Sequence, residues 1–361
     1  MDGNKKIIIK KKTKVFVMAP SNTFTGGPEL LHQVAADIKK TFKVNVRMFY
    51  LPILDKNPIH SNFKKYKLEY SSFIDDDEKN ILIIPEHYQF LEHSLNYKKI
   101  KKILWWLSVD NYFGYKFRYN YSKFLRSIIK IPFNVFRILN KVTYNNFGIF
   151  TYHDYLKFLY SFCNLQKFEE LKQIDLHLAQ SKYAFNYLKV YFQNLKFLSD
   201  YQRDEILKNS KKLKKTKKNL ICYSSKSNEF IESIKSYYNF KMIKLSGFNS
   251  KQIINIYNKT KVYLDFGYHP GKDRMPREAA LFNNCIITNK KGSAKNKLDI
   301  PINDRYKFEE KKINLEKISK TILKIFKNYQ NELKYFKKYK RTILNEKKNF
   351  HKDLRKIFMK K

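Results

Sequence analysis

Short apolar runs alternate with segments of helical periodicity along most of this chain, and this alternation limits how the chain can fold. The run Lys14–Pro20 (KVFVMAP) is followed by a turn-rich loop and then by apolar residues at helical spacing over 30–38. Further apolar runs lie at 44–51, Ile81–Pro85, 102–108 and 174–180, the last followed by a helix at 181–191 that Ser181 caps. Alternating strands and helices cover both faces of a parallel sheet, so the pattern predicts an α/β protein.

A second series of strands and helices follows a polar, lysine-rich stretch at 207–218, which we interpret as a linker or an exposed helix. A chain of 361 residues is long enough for two domains. We therefore predict an amino-terminal domain at 1–200, a second domain at 201–330 and a basic carboxy-terminal helix at 331–361. Residues 111–171 form a basic, aromatic insert in the first domain, without a clear strand rhythm.

Glycine is scarce, and its positions are informative. The chain has 9 glycines in 361 residues, whereas an average protein has about 7%. Five of the nine fall in two loops: Gly26, Gly27, Gly267, Gly271 and Gly292. Glycine lets backbone N–H groups approach an anion, and a helix amino terminus adds a favourable dipole. The pair Gly26–Gly27, which precedes a helix predicted to begin at Pro28, is equally compatible with a tight turn between strand and helix.

The second of these loops has a more specific sequence. The segment 262–288 (VYLDFGYHPGKDRMPREAALFNNCIIT) runs from a strand through a polar loop to a short helix predicted at Pro276. Its polar residues include His269, Lys272, Asp273, Arg274 and Arg277. Prolines and glycines restrict the path of the loop, and three cations favour an anionic ligand. The alternative is an exposed basic turn.

The segment 275–280 (MPREAA), with the apolar strand after Asn283, resembles the GT-B glycosyltransferases that have a group 1 nucleotide-sugar domain. The resemblance extends over 14–110 and 172–330. It implies two Rossmann-like domains facing a cleft, and it implies that Glu278 binds the ribose hydroxyls of the donor. The family has another glutamate eight positions earlier, where this chain has Pro270, and Asp273 is the candidate substitute.

The same resemblance implies the rest of a donor site. Lys226 follows the first strand of the second domain, where the family binds the diphosphate, and Arg274 stands in for the family's usual arginine partner. Gly26 and Gly27 occupy the place of the family's first-domain glycine loop. The complete donor-binding set is Gly26, Gly27, Lys226, His269, Gly271, Lys272, Asp273, Arg274 and Glu278.

Three residues of the first domain are candidates for catalysis. Glu86 and His87 directly follow the strand Ile81–Pro85, and Asp110 follows the strand at 102–107. Ligands of open α/β sheets bind at the carboxyl ends of the strands. We expect Glu86 or Asp110 to act as a base on an acceptor hydroxyl and His87 to contact the sugar or phosphate. Alternatively, each of the three caps a helix or satisfies backbone groups.

The sequence predicts a reaction without a bound metal and without a cofactor other than the donor sugar nucleotide. The segment 75–77 (Asp-Asp-Asp) is the nearest match to a metal-binding Asp-x-Asp motif, and it reads as a solvated acidic turn. Lysines, arginines and backbone N–H groups then have to stabilise the departing diphosphate. The widely spaced Cys163, Cys222 and Cys285 exclude a disulfide framework and a cysteine-based zinc site, which favours a cytoplasmic location.

The formal net charge is +42, which favours an anionic partner unless it reflects A/T-rich codon usage. In the insert 111–171, basic residues alternate with aromatic ones, which suits the surface of an anionic membrane. The alternatives for the insert are packing on the domain and nucleic-acid contact. With no window of 18 uninterrupted apolar residues and no signal-peptide core at 1–14, we expect a cytoplasmic protein that is peripheral on the inner face of the cytoplasmic membrane.

Together these features predict a glycosyltransferase that moves a sugar from a nucleotide diphosphate sugar to a glycan or lipid-linked acceptor. The resemblance implies a retaining reaction in surface polysaccharide biosynthesis, and no nucleic-acid partner is expected. Two alternatives stay open. A basic nucleic-acid-binding protein would explain the charge and the aromatic content, although the chain has no DNA- or RNA-binding motif. A catalytically inactive GT-B scaffold would explain Pro270 in place of glutamate.

Overall fold

The computed structural model describes residues 7–53, 57–120, 122, 124–125, 127–128, 130–135, 155–156, 169–213, 216–226 and 230–360. The chain divides into two compact units. The first comprises Met1–Arg126, Leu156–Asp200 and Lys348–Lys361, and the second comprises Ser127–Tyr155 and Tyr201–Lys347. Within the described residues, no helix is both long enough and apolar enough to span a membrane.

The first unit is built on a seven-stranded parallel sheet with helices between its strands. Its strands are β1 (Ile7–Ile9, outside this sheet), β2 (Lys14–Pro20), β3 (Asn45–Leu51), β4 (Glu69–Tyr70), β5 (Ile81–Pro85), β6 (Lys101–Trp106), β7 (Leu176–Ala179) and β8 (Leu195–Phe197). Its first helices are α1 (Gly26–Phe42), α2 (Tyr88–Ser94), α3 (Val109–Asn120) and α4 (Lys182–Leu188), with 3-10 turns at Ser61–Tyr66 and Glu169–Leu171. The strand order is β4-β3-β2-β5-β6-β7-β8, so the direction of winding reverses between β2 and β5.

The second unit has a five-stranded parallel sheet. Its strands are β9 (Lys218–Ser224), β10 (Met242–Leu245), β11 (Thr260–Asp265), β12 (Cys285–Asn289) and β13 (Lys307–Phe308). Its helices are α5 (Asp204–Asn209), α6 (Phe230–Tyr238), α7 (Ser250–Lys259), α8 (Arg274–Leu281), α9 (Leu315–Lys327), α10 (Tyr329–Leu333) and α11 (Lys337–Leu344), with 3-10 turns at Gly292–Lys295, Asp304–Tyr306, Lys312–Asn314 and Lys334–Phe336. The order β10-β9-β11-β12-β13 places the reversal of winding between β9 and β11.

The two ends of the described chain meet in the first unit. Helix α12 (Glu346–Ile357) leads into β14 (Phe358–Lys360), which pairs in parallel with β1. Phe358 packs against Phe42 of α1, with ring centroids 5.9 Å apart. A strand that follows the second unit in the sequence therefore belongs to the first unit.

Several boundaries differ from the sequence-based predictions. Helix α1 begins at Gly26, two residues before Pro28, and α8 begins at Arg274, two residues before Pro276. Both prolines therefore lie at the third helical position, still within the first turn, where no intrahelical N–H bond is lost. The single helix predicted over 331–361 is instead a series of short helices that ends in β14. Ser181 caps α4 as predicted, since its hydroxyl accepts a hydrogen bond from the Ala184 amide at 3.0 Å.

One residue of the lysine-rich stretch at 207–218, which was predicted to be a linker or an exposed helix, is a half-buried lysine. Lys217 Nζ donates to the carbonyl oxygens of Tyr257 and Thr260 at 2.6 and 2.7 Å. Burial lowers the pKa of Lys217 to about 7. This lysine thus satisfies carbonyls at the carboxyl end of α7. The structure describes part of the predicted insert at 111–171, namely α3 and the described residues at 122–135, 155–156 and 169–171. The remainder of the insert lies outside the described residues.

Candidate active site

The predicted donor loop of the second unit lies where the strand order of its sheet reverses. Lys226 follows β9 and Gly267 follows β11, and these two loops touch. A Cβ added at Gly267 would lie 3.1 Å from the carbonyl oxygen of Lys226 and 3.2 Å from Asp265 Oδ1. Glycine therefore permits the close approach of the two loops, at the place where open α/β sheets bind their ligands.

His269 is fully buried between two carboxylates of this loop. Its Nε2 lies 3.5 Å from Asp265 Oδ1, and its Nδ1 lies 3.2 Å from Asp273 Oδ2. Burial lowers the pKa of His269, but the two carboxylates raise it by more, so the net shift is upward and favours the imidazolium form. Burial raises the pKa of Asp273, but His269 and Lys226 lower it further, which keeps this carboxylate ionised. His269 thus belongs to the predicted site as a buried link between Asp265 and Asp273.

A second glycine loop packs on the backbone of His269. Gly292 has a φ of +51°, and a Cβ at this position would lie 2.0 Å from the His269 carbonyl oxygen. The same carbonyl accepts a hydrogen bond from the Ser293 amide at 2.9 Å, and the Ser293 hydroxyl donates to the Gly271 carbonyl. Gly271 therefore contributes its backbone to the stability of the loop.

The cations of the loop divide into two groups. Lys272 Nζ lies 2.8 Å from Glu346 Oε1, and the fully buried Arg277 donates to Glu346 Oε2 at 2.9 Å. Arg277 also donates to the carbonyl oxygens of Lys272 and Asp273. Lys272, predicted to bind the donor, is therefore engaged in a buried ion pair.

Two sources of positive charge lie beside the loop, the exposed Lys226 and the amino end of α8. The Lys226 side chain is 60% exposed, with Nζ 3.6 Å from Asp273 Oδ1. Arg274 is the first residue of α8, and its carbonyl accepts a hydrogen bond from Gln202. The Asp273 side chain makes no capping hydrogen bond to this helix. The amino end of α8 and the Lys226 ammonium together provide positive charge beside the loop.

Glu278 lies in the second turn of α8, and its carboxylate is 5% exposed. Its Oε1 accepts a hydrogen bond from Arg203 Nη2 at 3.2 Å, and Arg203 also donates to Ser250. Burial raises the pKa of Glu278, and Arg203 and Arg274 oppose that shift. A carboxylate held in this way presents oxygen acceptors to hydroxyl groups.

In the first unit, the candidate residues lie at the carboxyl ends of β2, β5 and β6. Glu86 is buried, and its Oε2 accepts a hydrogen bond from the Leu107 amide at 3.1 Å. Burial raises the pKa of Glu86 to about 7, against the effect of nearby backbone N–H groups. A carboxyl with this pKa is matched to proton transfer near neutral pH.

His87 and Asp110 have structural partners. His87 caps α2, since its Nδ1 accepts a hydrogen bond from the Gln89 amide at 3.3 Å, and its ring packs on Tyr115 with centroids 3.9 Å apart. Both Asp110 oxygens lie within hydrogen-bond distance of the Tyr183 hydroxyl, at 3.0 and 3.1 Å. His87 therefore caps a helix, as the alternative interpretation of this residue expected, and Asp110 orients the Tyr183 hydroxyl.

Gly26 and Gly27 are the first two residues of α1. A Cβ on Gly26 would meet nothing within 4 Å, and one on Gly27 would make an ordinary contact with Leu107 at 3.6 Å. Neither has the positive φ that would make glycine necessary in a tight turn. The two residues leave open space beside the amino terminus of α1.

The acidic segment 75–77 is tied to the fold. Asp75 pairs with Lys14 at 2.7 Å, Asp77 pairs with Lys79 at 2.6 Å, and Asp76 accepts hydrogen bonds from the amides of residues 98–100. This segment is therefore a structural turn. Across the part of the chain that the structure describes, no group of three or more His, Cys, Asp or Glu side chains is arranged to hold a metal ion.

Sequence reasoning missed three residues that organise the second unit's site. Asp265 ends β11, so the strand-end rule that selected Glu86 also points to it. Arg203 and Glu346 have no local signal, because their partners Glu278 and Arg277 lie 75 and 69 residues away. Arg203 is one of 74 lysines and arginines, and Glu346 is one of 32 aspartates and glutamates.

No protein-family model and no curated protein sequence matches the chain. Its structure, however, matches 135 solved chains. Sucrose-phosphate synthase from Thermosynechococcus elongatus is 9% identical with a TM-score of 0.57, over 95% of this chain and 97% of that one. HepE from Anabaena, in complex with UDP and glucose, is 8% identical with a TM-score of 0.51, over 94% and 98%. A glycosyltransferase from Rickettsia africae is 12% identical with a TM-score of 0.51, over 96% and 99%.

The chain has the GT-B fold. The alternation of strands and helices predicted two α/β units, and the resemblance implied that they are Rossmann-like; both expectations are confirmed. In a GT-B protein of such low sequence identity to the solved structures, the fold is shared while the function has to be argued from the site.

Proposed function

We propose that this protein is a glycosyltransferase that binds a nucleotide diphosphate sugar in its second unit. The observation that carries the proposal is the loop at the switch point of that unit, held by Asp265, His269 and Gly292, beside the exposed Lys226 and the buried Glu278. A diphosphate requires cations and backbone amides, and a ribose requires a hydroxyl acceptor. Lys226, the amino end of α8 and Glu278 supply these groups on one loop and one helix.

Lys226, Arg274 and the amides that begin α8 would stabilise the diphosphate as it departs, which supports a reaction that needs no bound metal. Lys272 acts indirectly in this proposal, because it is paired with Glu346. We propose a retaining outcome on the strength of the 275–280 segment alone. Determining the anomeric configuration of the product by NMR tests that part separately.

For the first unit, we propose that the Gly26–Gly27 amides assist with the diphosphate and that Glu86 is the base for the acceptor hydroxyl. Glu86 is favoured over Asp110 because the pKa of Glu86 is raised to about 7, whereas Asp110 is occupied by Tyr183. His87 would contact the sugar or phosphate. The acceptor class we propose is a glycan or a lipid-linked saccharide of surface polysaccharide assembly, made on the cytoplasmic side.

A thermal-shift panel tests donor binding. Nucleoside diphosphates, their sugar conjugates and single-stranded oligonucleotides are added to the full-length protein, and we expect one diphosphonucleoside family to raise the melting temperature. Incubation of the stabilising donor with candidate acceptors then measures transfer. Stabilisation by oligonucleotides alone would overturn the proposal in favour of nucleic-acid binding. Donor binding without either transfer or donor hydrolysis would identify an inactive scaffold.

A further inference from the structure

The described part of the insert carries an apolar stripe on a helical segment. Residues 124–125, 127–128 and 130–135 are helical. Phe124, Ile128, Ile131 and Val135 follow one another at intervals of four, three and four residues, which places them on one face of a helix. They are 73%, 44%, 57% and 49% exposed, and the neighbouring Leu125 is 47% exposed.

The opposite face of the same segment is anchored in the protein. Phe133 lies half a turn away from the stripe and is buried, with its ring centroid 5.6 Å from that of Tyr155. Packing on the protein therefore accounts for Phe133 and not for the stripe. A contiguous row of large, exposed apolar side chains marks an interaction surface.

The charge around the stripe indicates what it contacts. Between Asp110 and Asp154 the sequence has no acidic residue and seven basic ones: Lys116, Arg118, Lys123, Arg126, Lys130, Arg137 and Lys141. Lys116 is buried and paired with Glu170 at 2.7 Å, whereas Arg118 and Lys130 are exposed. An apolar face in a segment that has basic residues and no acidic ones is complementary to a surface that is anionic outside and apolar beneath.

We propose that the stripe Phe124, Leu125, Ile128, Ile131 and Val135 inserts into the surface of an anionic lipid membrane, with Arg118 and Lys130 contacting the headgroups. A second copy of the chain carries the same positive charge on this surface, so charge complementarity favours lipid over self-association. The inference does not depend on sugar transfer, because it rests on residues separate from the donor loop.

Vesicle co-sedimentation of the full-length protein tests this inference. Vesicles of phosphatidylcholine are compared with vesicles that also contain phosphatidylglycerol, and we expect binding only to the latter. At about 0.5 M salt, where screening confines electrostatic attraction to a few ångströms, binding should weaken strongly. The triple variant Phe124→Ser, Ile128→Ser, Ile131→Ser should lose about tenfold or more in partitioning.

A control variant removes three exposed apolar residues elsewhere, which on average are more exposed than the three replaced in the stripe. Val190, Leu298 and Ile313 are 72%, 68% and 77% exposed, and their replacement by serine should leave vesicle binding unchanged. Thermal unfolding of both triple variants confirms that the fold is intact. The proposal would be overturned if the control variant lost as much vesicle binding as the stripe variant, or if the protein bound both kinds of vesicle equally. It would also be overturned if the protein bound no vesicles and instead formed a dimer that the stripe variant abolished.

Discussion

Arg277 and Glu346 form a buried ion pair with a 2.9 Å separation, and it joins the donor loop to the first residue of α12. Lys272 adds a second cation to the same carboxylate. The buried cluster therefore ties the path of residues 272–277 to a segment about seventy residues later in the sequence.

We predict that Glu346→Gln lowers the free energy of unfolding by about 3 kcal/mol, because it removes the carboxylate that pairs with two buried cations. Urea unfolding measures the change. Glu316→Gln is the matched control, since Glu316 pairs with Lys320 on the exposed surface and should cause no measurable loss. Equal stability of the two variants would show that the buried cluster contributes nothing.

Glu278→Gln should weaken binding of a nucleoside diphosphate sugar about tenfold, because a neutral amide accepts a hydroxyl hydrogen bond less strongly than a carboxylate. Glutamine is preferable to alanine, which would leave Arg203 facing a cavity. Isothermal titration calorimetry measures the affinity, with Glu232→Gln on the exposed side of α6 as the control. An unchanged dissociation constant would remove Glu278 from the donor site.

Gly292→Ala should cost about 2 kcal/mol or more of stability, since the residue has a positive φ and its new Cβ would meet the His269 carbonyl. Gly114 provides the contrast: it lies inside α3 with nothing within 4 Å of an added Cβ. Gly114→Ala should stabilise the protein by about 0.5–1 kcal/mol. Thermal unfolding distinguishes the two signs, and a neutral Gly292→Ala would contradict the close packing of the loop.

The raised pKa of Glu86 predicts a pH-dependent stability. From about pH 4.5 to about pH 7 the folded state retains a proton that the unfolded state releases, so this group's contribution to stability is lost as the pH rises. Over that interval, the free energy of unfolding of Glu86→Gln should rise by about 3 kcal/mol relative to that of the wild type. Urea unfolding at pH 5 and pH 8 measures the difference. Identical pH profiles would indicate an ordinary Glu86 pKa.

The sequence was informative where local pattern determines structure. Apolar runs of five to eight residues predicted β2, β3, β5 and β6, because a strand buried on both faces is mostly apolar. Strands such as β4 and β13, with two residues each, have no such signature. Their pairing is determined by neighbouring strands.

The candidate site was also predictable from the sequence only in part. The loop at 267–274 was recognisable because prolines, glycines and cations follow a strand. The role of each residue within the loop was not predictable. His269 and Lys272 are buried in ion pairs, and their partners include Asp265 and Glu346. Such long-range ion pairs determine which cation stays exposed, and the residue type alone does not predict them.

The pairing of β1 with β14 has a consequence for synthesis. The first unit pairs β1 with β14, a strand that follows the whole of the second unit in the sequence. The second unit has all of its residues by Lys347. During synthesis the second unit can therefore be completed before the first, because β14, the strand that pairs with β1, is translated after all of the second unit.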